Sequence, residues 1–172
     1  IGGVIGIGKA DGVGSKRGRS FIRVFQALPQ TEVTAVCDLD GGGLAEVERE
    51  FGIKALFTDY KEMLNQDIDA VVVAGPVPVH AEHTIAALKS GKHVLSEVPA
   101  CYKLSECKGI VDAVRESGKK YMLAENCCYY AYVETWKEMI RQGRIGAPIY
   151  AEGEYVHDCR SLMIDPQGQK TW

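Results

Sequence analysis

Short apolar runs recur along residues 1–126, and each is followed by a segment whose apolar residues fall at helical spacing. Runs that are apolar on both sides suit strands buried on both faces, and parallel strands need a crossover between them, usually a helix. The alternation therefore predicts a doubly wound parallel α/β sheet of the Rossmann type. Gly3 to Ile7 is the first strand, ending in the turn opened by Gly6-Ile7-Gly8. Lys9 to Lys16 reads as an insertion before Arg17-Gly18-Arg19-Ser20 opens a helix with Phe21, Ile22, Val24, Phe25 and Leu28 on one face. Pro29 ends it.

Glu32 to Cys37 is the second strand, stopping at Asp38, and Gly41 to Gly43 leads into a helix with Leu44, Val47 and Phe51. A short strand at Ala55 to Phe57, a helix at Tyr60 to Leu64 and a strand at Ala70 to Ala74 follow, broken by Gly75-Pro76-Val77-Pro78. Val79 to Lys89 reads as a helix and Lys92 to Ser96 as the fifth strand. Leu104, Cys107, Ile110, Val111 and Val114 mark the next helix, with Gly118 at its end, and Tyr121 to Ala124 is the sixth strand. Residues 1–126 are thus expected to form one nearly complete doubly wound domain. Beyond them, Tyr132, Val133, Trp136, Met139 and Ile140 form a helical stripe, and Pro148 to Val156 reads as one more strand. A lone helix and strand cannot bury a separate core, so 127–172 is expected to be the incomplete beginning of a second, α+β domain.

The glycine-rich turn between first strand and first helix is where backbone amides can approach a pyrophosphate, helped by the helix amino terminus. Gly6, Gly8 and Gly18 are the candidates, and Asp38 lies about twenty residues after Gly18, as a dinucleotide fingerprint asks. A carboxylate there accepts from the adenosine ribose hydroxyls and repels a 2′-phosphate, so NAD is expected over NADP. Leu39 and Asp40 offer no cation to reverse that.

Ala35-Val36-Cys37-Asp38, Asp69-Ala70-Val71-Val72-Val73, Pro76 with His80, Gly91-Lys92-His93-Val94, and Glu97 with Pro99 together resemble the glucose-fructose oxidoreductase, inositol dehydrogenase and MocA family over nearly the whole chain. The resemblance implies that Pro76 and His80 lie by the nicotinamide half of the cofactor, and that Glu97, with Asn126, faces its ribose side. Two positions depart from the family pattern. Gly75 stands where most members have Thr, and Val98 stands where the family carries a working lysine. Valine has no proton to exchange.

Glu97-Val98-Pro99, taken with Ala124 to Tyr130 and Glu152 to Asp158, resembles the branch of NAD-dependent glycosidases of the α-N-acetylgalactosaminidase type. That likeness implies substrate and acid/base positions for Glu125 and Tyr155, with His157 close by. The expected activity is hydride transfer on a sugar or polyol. A redox-neutral glycosidase working by oxidation, elimination, hydration and reduction is the alternative, and a non-catalytic NAD-binding regulator is the second.

A net charge of −3 gives no electrostatic reason for a nucleic-acid or anionic-membrane partner. No apolar run approaches the roughly 20 residues of a membrane helix. The six cysteines, Cys37, Cys101, Cys107, Cys127, Cys128 and Cys159, lack the spacing of a disulfide framework or zinc site and read as reduced thiols. His80 and His83 have no third ligand in register, so no metal is expected. The expected setting is cytoplasmic, although the start at Ile1 leaves room for a removed export signal. A homo-oligomer formed through the second domain is the partner that the family resemblance implies.

Overall fold

A computed structural model describes residues 2–5, 17–158, 163–164 and 167–170, with backbone alone for residues 4 and 5. Six strands alternate with helices: β1 Gly2–Ile5, α1 Arg17–Ala27, β2 Val33–Cys37, α2 Gly41–Phe51, β3 Ala55–Phe57, α3 Tyr60–Leu64, β4 Ala70–Val73, α4 His80–Lys89, β5 His93–Ser96, α5 Leu104–Ser117, β6 Tyr121–Leu123 and α6 Ala131–Arg141. All neighbouring strands are parallel, in the order β3-β2-β1-β4-β5-β6. This is the doubly wound sheet that the alternation predicts.

The period of two along each strand divides the core into two layers. Ala35, Cys37, Val71 and Val73 point to one face, where Met63, Leu88 and Ala113 meet them. Val36 and Val72 point to the other, against Ile22, Leu44 and Val47. Gly3 leaves room for the Met63 side chain, whose Cε would stand 2.9 Å from a Cβ placed there. Gly118 closes α5 in the left-handed conformation at φ 65°, as expected of it.

Charged side chains tie the first two helices together. Buried Arg19 reaches Glu46 and Glu50 at 2.9 Å each and donates to the carbonyl of Gly43 at 3.3 Å. Arg23 also pairs with Glu50 at 2.5 Å, and this hydrogen bond is the main cause that holds the Glu50 carboxyl below its ordinary range.

Several strand ends shift by one residue, and two segments differ from expectation in kind. Val77–Val79 forms a 3-10 turn before α4 starts at His80, since Pro78 has no amide to give. Pro148 to Val156, expected as a strand, pairs with no strand among the described residues and forms none. Its alternating residues favour an extended backbone, but a strand exists only with a hydrogen-bonded neighbour. Ile149 and Val156 are more than nine-tenths exposed. No residue of α6 is buried either, and Trp136 and Tyr132 on its stripe face solvent. Among the described residues no helix is long and apolar enough to cross a membrane.

His83 packs its ring 4.4 Å from that of Tyr60, joining α4 to α3. Its Nδ1 is buried with no hydrogen-bond partner among the described residues, and burial lowers its pKa below the ordinary histidine value. The unfolded chain therefore takes up this proton more readily than the native one, and stability falls as pH drops through the ordinary histidine range. The melting temperature is expected to decrease from about pH 7 to about pH 5, and His83→Gln to flatten that decrease, in a pH series of thermal melts.

Candidate functional site

In an open parallel sheet the crevice lies outside the carboxyl ends of the strands, at the point where strand order reverses. Here that point falls between β1 and β4, which flank one another while their crossovers leave in opposite directions. The registers of Ile5 with Cys37, Ile5 with Val73, Val73 with Ser96 and Ser96 with Leu123 bring the ends of five strands level. The residues just past those ends are Asp38, Ala74 to Pro76, Glu97 and Ala124 to Asn126. Gly6 and Gly8 lie outside the described residues. Gly18 is buried in the first turn of α1.

Asp38 is half-buried at the end of β2. Its amide donates to the carbonyl of Phe57 at 3.1 Å, and its Oδ1 accepts from the amide of Asp40 at 2.9 Å. Asp40 in turn caps α2 by accepting from the amide of Gly42 at 3.0 Å. The turn after β2 is thus organised by its own acidic side chains.

Glu97 is buried at 6% exposure. Its Oε2 accepts from the amide of Val98 at 2.8 Å, and its Oε1 is ion-paired with the guanidinium of Arg17 at the start of α1. Its own amide donates to Val73 at 2.7 Å, which pins the end of β5 to β4. Arg17 also lies over the ring of Phe21 at 5.6 Å. The sequence pattern identifies Glu97 but not this partner.

His80 is almost fully buried, and both of its ring nitrogens meet backbone carbonyls. Nε2 lies 2.7 Å from the oxygen of Gly75 and Nδ1 2.8 Å from that of Pro99. A neutral imidazole donates one of these bonds and an imidazolium both. The ring therefore clamps the loop after β4 to the loop after β5. Pro76 is exposed beside it and opens the 3-10 turn.

Glu125 follows β6 and accepts from the amide of Cys127 at 3.1 Å, capping the short turn Asn126–Tyr129. Cys127 is hydrogen-bonded to Tyr130, the main cause raising the pKa of that phenol, and Tyr155 is near enough to Tyr130 to add to the rise. Tyr155 and His157 stack edge to face with centroids 5.7 Å apart. Half-buried Glu125 and exposed Tyr155 and His157 thus lie near Cys127 and Tyr130, and Tyr155 is not in the strand expected for it. Asn126 is exposed beside them.

Among the described residues no cluster of three His, Cys, Asp or Glu side chains could hold a metal ion. The crevice does have the parts a dinucleotide needs. It has a helix amino terminus with a buried glycine, an arginine paired with Glu97, and carboxylates at the ends of β2 and β5.

Residues 2–125 match the model of an oxidoreductase family with an NAD-binding Rossmann fold, Gfo/Idh/MocA. The chain is 34% identical over 154 residues to glycosyl hydrolase family 109 protein 2 of Phocaeicola vulgatus, covering 84% of this chain and 37% of that protein. It is 32% identical over 171 residues to an α-N-acetylgalactosaminidase of Shewanella oneidensis, covering 94% of this chain and 36% of that one. Its fold superposes on the crystal structure of myo-inositol 2-dehydrogenase from Lactobacillus plantarum with a TM-score of 0.77 at 25% identity, over 87% of this chain and 43% of the other. The chain therefore spans well under half the length of these proteins.

Replacing His80 by alanine leaves the carbonyls of Gly75 and Pro99 unpaired and opens a hole between two loops. It is expected to cost about 2–4 kcal/mol in a urea unfolding titration, with His80→Gln recovering part of the loss.

Proposed function

The chain belongs to the Gfo/Idh/MocA oxidoreductase family, and on that premise we propose that the protein is an NAD-dependent enzyme acting on a sugar or polyol by hydride transfer. The observation that carries this reading is the convergence of Asp38, Glu97 and the His80 clamp on one crevice edge. Bound NAD supplies a nicotinamide able to take up and return a hydride. Gly18 and the amino terminus of α1 face its pyrophosphate, and Gly6 and Gly8, which lie outside the described residues, are assigned to the same end from the sequence. Asp38 holds the adenosine ribose and disfavours a 2′-phosphate, so NAD is preferred over NADP. Glu97, oriented by Arg17, accepts from the nicotinamide ribose, while Pro76, His80 and Asn126 border that end.

The proton of the substrate hydroxyl cannot go to Val98, so it falls to the cluster after β6. Tyr155 is the acid/base, with Glu125 and His157 holding the substrate beside it. Residues 127–172 are then the beginning of a substrate domain, consistent with the open face of α6 and with relatives more than twice as long. We assign the contact between copies of the protein to that same domain.

A second reading, a redox-neutral glycosidase, is favoured by Val98 together with relatives named as glycosyl hydrolases and an α-N-acetylgalactosaminidase. Incubating full-length protein with NAD and a panel of polyols, hexoses and a nitrophenyl N-acetyl-α-galactosaminide separates the two. Stoichiometric NADH from free sugars supports the dehydrogenase, whereas nitrophenol release with no NADH accumulating supports the glycosidase. Tight NAD binding with neither product would leave a regulator.

Cofactor choice has its own test. Asp38→Ala is expected to weaken NAD about 10-fold and to bring NADP within reach of it in calorimetric titrations. An unchanged NAD to NADP ratio would remove Asp38 from the ribose site.

A further inference from the structure

Two thiols meet just beyond the crevice. Cys101 lies in the loop that follows Glu97 and Pro99, and Cys107 lies in the first turns of α5. The turn between them is already built, because the amides of Tyr102 and Lys103 both donate to Glu106 Oε2 at 2.9 Å. It brings the two sulfur atoms to 2.8 Å, hydrogen-bonded, with no disulfide between them. Both side chains are half-exposed, so small solutes reach them. Cys37, by contrast, is buried, and burial first of all pushes its thiol up to about 12, which leaves it inert.

We propose that Cys101 and Cys107 form an oxidation site, closing to a reversible disulfide that staples the loop carrying Glu97 and Pro99 to the amino-terminal turn of α5. The oxidant is a peroxide. The Cys107 thiolate displaces hydroxide from hydrogen peroxide and becomes a sulfenic acid. Cys101 then attacks that sulfur, the S–S bond forms and water leaves. Two thiols give up two protons and two electrons, and the peroxide leaves as two waters. The staple does not depend on which sugar chemistry the crevice performs.

The sequence provides a direct readout, since Lys92, Lys103 and Lys108 separate the two cysteines on tryptic cleavage. Full-length protein is reduced, exposed to hydrogen peroxide, alkylated and digested without reductant. The peptide of residues 93–103 is expected to be recovered joined to that of 104–108, and to separate with dithiothreitol. Cys101→Ser and Cys107→Ser should each abolish the joined peptide while keeping the fold. Oxidation should raise the melting temperature of the wild-type protein by about 3–6 °C and that of neither variant. Recovery of Cys101 and Cys107 as alkylated thiols or sulfinic acids, a link to Cys127 or Cys128 instead, or an unchanged melting temperature in the joined protein would overturn the proposal.

Discussion

A carboxylate removed from water has to be given charge or hydrogen bonds in return, and at the end of β5 that requirement falls on Glu97. The partners are the guanidinium of Arg17 and the amide of Val98. One belongs to the helix that follows the first strand, the other to the loop that follows the fifth. The buried charge therefore joins two ends of the chain that the sheet alone would leave to their own loops. Removing Arg17 takes the cation from a buried carboxylate, whereas Arg17 is itself 43% exposed and keeps its access to water when Glu97 is removed.

His80 does for backbone what Arg17 does for charge. It fills the gap between the loops after β4 and β5 and meets a carbonyl from each. Between them these two residues fix the crevice rim on the β4–β5 side, while the Asp38 and Asp40 turn fixes it beyond β2. A rim held by internal partners is preorganised, so a ligand binding there spends little of its interaction on ordering protein. In the cluster after β6, Glu125 accepts from the amide of Cys127, and the rings of Tyr155 and His157 stack on one another on exposed chain.

Elements whose signals are local were readable in the residues. Ala70 to Val73 is apolar at every position because both faces are buried, and Gly118 marks a helix end because its φ is positive. Asp38 and Glu97 stand out through their places after strands. What could not be read is what depends on distant partners. The Arg17–Glu97 pair spans 80 positions and has no local signature, although a buried carboxylate at a strand end is itself a sign that a cation stands nearby. The meeting of Cys101 and Cys107 follows from how Glu106 bends the turn, not from a known motif. Pro148 to Val156 was misjudged for the complementary reason: alternation describes a strand's faces, and its edges need neighbours that the described residues do not supply.

The placing of β1 in the sheet has a bearing on how the chain comes together in time. β1 is synthesised before the other five strands of the sheet yet lies in the interior, with β2 on one side and β4 on the other. Until residue 73 has left the ribosome, one of its edges has no ladder to join, and an open edge of apolar strand invites wrong pairing. The nascent half-sheet is therefore the stage at which a chain of this topology depends most on chaperones or on the speed of translation.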